Sequence, residues 1–118
     1  MRNAQVLILS APNTGSQTGS KFDVNQAVSA SFTVIMGDST ATGTVKLQCS
    51  NDLVTDNDRG LFVPANWSDI PNATSTVTAG VGPAIVVPNM CFSYIRAVFT
   101  STMAGSTTVK VIMNYLSI

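Results

Sequence analysis

"TVKLQCS", residues 44–50, alternates strictly between apolar and polar side chains. Val45, Leu47 and Cys49 fall on one side of an extended chain, and Lys46 and Gln48 on the other. Successive side chains of a strand point to opposite faces, so this stretch reads as a half-buried strand of an antiparallel sheet. Working outward, "ASFTVIM" at residues 30–36 puts Phe32, Val34 and Met36 on one face. "FSYIRAVFT" at residues 92–100 puts Phe92, Tyr94, Arg96 and Val98 on one face and Ile95, Ala97 and Phe99 on the other. Further strands are expected at residues 4–10, 67–70, 75–78, 84–87 and 107–117, separated by Gly, Pro, Asn and Ser punctuation. Nowhere do apolar residues recur at three-and-four spacing among good helix formers. About eight short strands in 118 residues predict an all-β fold: a two-sheet antiparallel β-sandwich, jelly-roll-like.

The division expected along the chain is residues 1–20 as an N-terminal strand and flexible arm, and residues 21–118 as a single sandwich domain. The arm is read from "APNTGSQTGS", a polar Gly/Ser/Thr stretch at residues 11–20. Cys49, Trp67 and Cys91 invite comparison with an immunoglobulin domain, but the second cysteine comes too early and Asn89 stands where a corner tyrosine would be.

Composition narrows the function classes. Charged residues make up 10% of the chain, the formal net charge is zero, and there is neither His nor Glu. Nucleic-acid binding needs clustered cations, whereas Arg2, Lys21, Lys46, Arg59, Arg96 and Lys110 are scattered. The apolar run "VLIL" near the start is too short to span a membrane or to form a signal-peptide core, so no membrane partner is expected and the product is placed in a cytoplasm until it assembles. The sequons at Asn66 and Asn72 then read as chance matches. Cys49 and Cys91 read as two buried thiols, with a disulfide between neighbouring strands as the alternative.

The one candidate for chemistry is acidic. Asp52, Asp56, Asp58 and Asp69 are four of the six Asp residues, and Asp56, Asp58, Arg59 and Gly60 loosely resemble a calcium loop. A calcium loop of the helix–loop–helix kind ends in a bidentate Glu between two helices, and neither is present. The residues read instead as turn formers that bond their own backbone. Without His there is no triad, and no nucleophile–base pair is evident, so the expectation is a protein that is not an enzyme and takes no cofactor. Trp67 and Tyr94 read as packing residues, or as the lining of a sugar-binding surface. Arg96 reads as a solvated charge on the outer sheet face, or as a partner for an Asp such as Asp69.

Four segments in order, "GTVKLQCSND", "NWSDI", "CFSYIRAVFT" and "TTVKVIMNYL", make the chain resemble the small β-sandwich virion proteins of tailed bacteriophages. The matching positions are Ser50, Asn51 and Asp52; Trp67, Asp69 and Ile70; Tyr94, Ile95 and Arg96; and residues 105–109. The resemblance covers residues 43–111 and leaves the first forty without a counterpart. It implies a capsid decoration or cement protein on the shell exterior, bound to the major capsid protein and self-associating as a dimer or trimer. The alternative it implies is a tail or head-fibre adhesin that holds host glycan through Asn66, Trp67 and Asp69. Under it, Trp67, Asp69, Tyr94 and Arg96 define the fold, as an aromatic plug beside a carboxylate–guanidinium pair. Asp52, Asp56, Asp58 and Arg59 then form a partner-contact loop.

Overall fold

The computed structural model describes residues 2–12, 14–24, 27–36, 42–51, 66–78, 82–90, 92–103 and 108–117. Among these, nine strands form two antiparallel sheets. They are β1 (Arg2–Pro12), β2 (Ser16–Thr18), β3 (Phe22–Asp23), β4 (Ala27–Met36), β5 (Thr42–Ser50), β6 (Ser68–Val77), β7 (Ile85–Val87), β8 (Tyr94–Met103) and β9 (Thr108–Ser117). One sheet has the order β1-β9-β4-β7; the other has the order β2-β8-β5-β6, with β3 also on β8.

β2 and β3 lie one after the other along the same strand, β8. Between and around them, Ser101 N donates to Gly15 O, Gly19 N to Ala97 O and Val24 N to Ser93 O. They therefore act as one interrupted strand. Counted so, the pairs are first with last, second with seventh, third with sixth and fourth with fifth, all antiparallel. That is a long hairpin ribbon rolled up on itself, the jelly-roll arrangement. The expected flexible arm is thus corrected. Residues 11–20 end β1 and supply β2, and the interrupted strand runs across residue 20, so the first strands are knitted into both sheets. Composition misleads here because a short edge strand such as Ser16–Thr18 is held by its backbone bonds, so it needs no apolar pattern, and Gly15 and Gly19 stand only at its ends.

The core lies where the alternation puts it. Val45 and Leu47 from β5, Ile95, Ala97 and Phe99 from β8, Phe32 and Val34 from β4, and Val109, Val111 and Met113 from β9 are wholly buried between the sheets. Each of the larger of these side chains contributes about 1.5–3 kcal/mol by leaving water. Gly43 is needed for this packing, because a Cβ there would run into the Phe99 ring. In β1 the register slips between Leu7 and Leu9, so Ile8 is a bulge residue and both Ile8 and Leu9 turn inward.

β6 departs from expectation. Two short strands interrupted by Pro71 turn out to be one strand with a bulge: Lys46 faces Thr74, and Gln48 faces Asp69. Asn72 takes φ +60°, a conformation that Asn tolerates better than most residues. Pro71 is accommodated because β6 is an edge strand.

Candidate functional site

The outer face of the second sheet carries the residues singled out from the sequence. Register places Asp69 of β6, Gln48 of β5 and Arg96 of β8 side by side across three strands. Arg96 Nε donates to Gln48 Oε1 at 2.8 Å, and Gln48 Nε2 donates to Asp69 Oδ1 at 2.9 Å. Lys46 Nζ lies 3.4 Å from Asp69 Oδ2. The expected carboxylate–guanidinium pair is therefore corrected. Among the described residues no ion pair joins Asp69 to Arg96, and the amide of Gln48 stands between them, accepting from one and donating to the other. The reason is strand order: β5 lies between β6 and β8, so its outward side chain fills the middle of the row.

Trp67 sits just before β6, half-buried, and the Arg96 guanidinium lies over its ring at 4.2 Å from the centroid. A guanidinium plane on an indole face is a favourable stack. Trp67, Asp69 and Arg96 are thus brought together, with Gln48 as the member sequence reading missed. Its outward position was legible in the alternation, but its neighbours were not, since register cannot be read from one strand.

Electrostatics follow the contacts. The Asp69 carboxyl is held below its ordinary value of 3.8: the Gln48 hydrogen bond lowers it most, desolvation opposes that, and Lys46 lowers it further. Partial burial draws the Arg96 guanidinium below its ordinary value. The group stays charged because an arginine starts so high.

Tyr94 lies outside this row. It is buried where β8 meets β3, opposite Asp23, with Lys21 Nζ 5.2 Å above its ring. Asn66 and Asp69 are exposed beside the half-buried Trp67. Asp52, Asp56, Asp58 and Arg59, the expected partner-contact loop, lie outside the described residues, as does Cys91. Cys49 is half-buried on β5 opposite Ile95.

The outer face of the first sheet differs in character. Leu7, Ile35 and Val86 stand exposed on it at 51%, 42% and 67%. Around them are Gln5, Ser31, Thr33, Ile112 and Asn114, and the register aligns Leu7 with Ile112 and Thr33 across three strands. Lys110 is the one charged residue among the described outward positions of this face. Between the β1 edge and residues 17–22 runs a groove of about 440 Å³.

No protein-family model matches the chain, and a search of curated proteins finds no match. Among solved structures, the SPBc2 prophage-derived protein YomS is similar in backbone course, with 9% identity over 98% of this chain and 94% of that chain, at a TM-score of 0.46.

Proposed function

We propose that this chain is a non-enzymatic virion protein, a decoration or cement protein that binds the exterior of a phage shell and bridges neighbouring capsomers. Its partner is the major capsid protein, and it self-associates. The observation that carries the reading is the outer face of the four-stranded sheet. That face is broad, nearly uncharged, and studded with the exposed Leu7, Ile35 and Val86 among neutral polar side chains. A sheet face this poor in charge, with exposed apolar side chains set among neutral polar ones, loses little by being covered, which suits a protein contact surface. Jelly rolls serve in viral shells and in lectins alike, so the fold by itself does not choose between them. The surface favours broad contact, and the segment resemblance points to the same setting.

The mechanism is contact area multiplied by copy number. Each bound copy stabilises the closed arrangement of the subunits beneath it, because local opening must also break the added contacts. Zero net charge removes long-range repulsion between copies packed on one shell.

The test is quantitative mass spectrometry of purified particles. A ratio to the major shell protein near one, or a simple fraction of it, is the expected result. A handful of copies per particle transfers the assignment to a tail or fibre adhesin, with Asn66, Trp67 and Asp69 as the residues to probe against glycans. Absence from the particle overturns the reading.

A further inference from the structure

A jelly roll has four open edges, and natural sheets guard theirs against stray pairing. Three edges here are guarded. β7 is three residues long, and the β2/β3 strand is interrupted. β6 carries Pro71, the bulge at Asn72 and the charged Asp69. The fourth edge, β1, is eleven residues long. Among the described residues no strand lies beyond it. From Asn3 to Ala11 it bears no charge, and its proline stands only at the end. Its guards are the bulge at Ile8 and Gly19, which lies against the Ile8 carbonyl; both leave residues 2–7 regular and without a ladder partner on the outer side among the described residues.

We infer that the β1 edge is the docking strand for a second copy of this chain, paired antiparallel to its own β1 about a two-fold axis, so that two four-stranded sheets become one.

The edge is self-complementary. Antiparallel pairing lets one strand satisfy its own copy and closes the assembly at two, which no pairing of β1 with a different edge would do. Same-face pairing sets the outward Asn3, Gln5 and Leu7 of one copy against those of the other, and sets Ala4 beside Val6 on the inner side. In the register centred on Gln5, Leu7 of each copy, half exposed when single, stands opposite Asn3 of the other. With Gln5 on the axis, the two Arg2 positions lie about 20 Å apart at roughly 3.3 Å per residue, beyond a screening length of about 8 Å. The remaining charges on this side, Lys21 and Asp23, lie toward the same end as Arg2, since Asp23 pairs with Tyr94 and Arg2 with Ser117 at the ends of β8 and β9. The other copy presents its neutral end there, with Pro12, Thr14, Gly15 and Ser16. Like charges therefore do not meet.

This gives an address to the self-association included in the shell reading but stands on the edge alone. Its test uses purified protein and no particles, so either idea can fail without the other. Sedimentation of the full chain over a wide concentration range should show a monomer–dimer equilibrium. Gln5→Lys/Leu7→Lys places lysines opposite lysines in the registers centred on Gln5, Val6 or Leu7, and both positions are exposed in the single copy. The double variant should keep its thermal melt and weaken the dimer at least tenfold. Amide exchange on the wild type is the second reading. In a lone copy the outward amides of β1 exchange quickly, and in the dimer both sets become protected as concentration rises. A wild type that stays monomeric at high concentration overturns the inference. So does an oligomer indifferent to the two lysines, or one whose β1 amides gain no protection.

Discussion

At the scale of single residues, the row Asp69–Gln48–Arg96 with Trp67 replaces the simple ion pair expected from sequence. Arg96→Ala removes the stack on Trp67 and the bond to Gln48 together. A surface stack contributes about 0.5–1 kcal/mol and a hydrogen bond about as much, so the loss should be about 1–2 kcal/mol in urea unfolding. Arg96→Lys keeps the charge but not the plane and should lie between. A double-mutant cycle with Trp67→Ala should show coupling, and strict additivity would mean that the stack contributes nothing. Asp69 gives a pH test. Its folded carboxyl binds a proton less readily than the ordinary value of 3.8. Its contribution is therefore complete above the unfolded value and is lost as pH falls through the folded one. The urea midpoint of Asp69→Asn should lose that acid-side slope, a small effect because the carboxylate is exposed. Ser101 Oγ is buried with no hydrogen-bond partner among the described residues. Ser101→Ala should then be neutral or stabilise by up to about 1 kcal/mol, read as a rise in melting temperature.

At the scale of elements, strand identity was legible wherever one face is dry. β4, β5, β8 and β9 follow from alternation, and their buried faces are Phe32, Val34 and Met36; Val45 and Leu47; Ile95, Ala97 and Phe99; and Val109, Val111 and Met113. β2 and β3 were not legible, because an interrupted edge strand is held by backbone bonds and leaves little side-chain pattern. β6 was half legible: Pro71 and Asn72 read as a stop, whereas an edge strand tolerates a bulge. Asn72 offers a check. Asn72→Gly should be neutral at its positive φ, and Asn72→Val should cost about 1–2 kcal/mol, since a left-handed backbone disfavours a β-branched side chain. Gly43→Ala tests the fit between β5 and β8. The added methyl meets Phe99, and overpacking of a tight core costs about 1–3 kcal/mol, measured as a drop in the denaturant midpoint.

At the scale of the whole molecule, the fold class follows from the spacing of strands and turns, but the winding does not. Strand order depends on which distant segments meet, and β1 with β9 is the extreme case, Arg2 lying opposite Ser117. The site shares that limit. Alternation placed Gln48 and Arg96 outward on their strands, yet only strand order makes them neighbours. Such non-local pairing predicts refolding in roughly milliseconds to seconds rather than microseconds, checked by stopped-flow fluorescence of Trp67.

The same winding has a consequence for synthesis. Of the described strands, β1 leaves the ribosome before all the others and its ladder partner β9 after them. At about 5–20 residues per second, an unguarded strand must wait on the order of 5–20 s for its own chain to supply the partner. On a polysome, the nearest alternative partner is the same strand of a neighbouring nascent chain. How densely ribosomes load the message therefore sets how often β1 meets a foreign strand before its own.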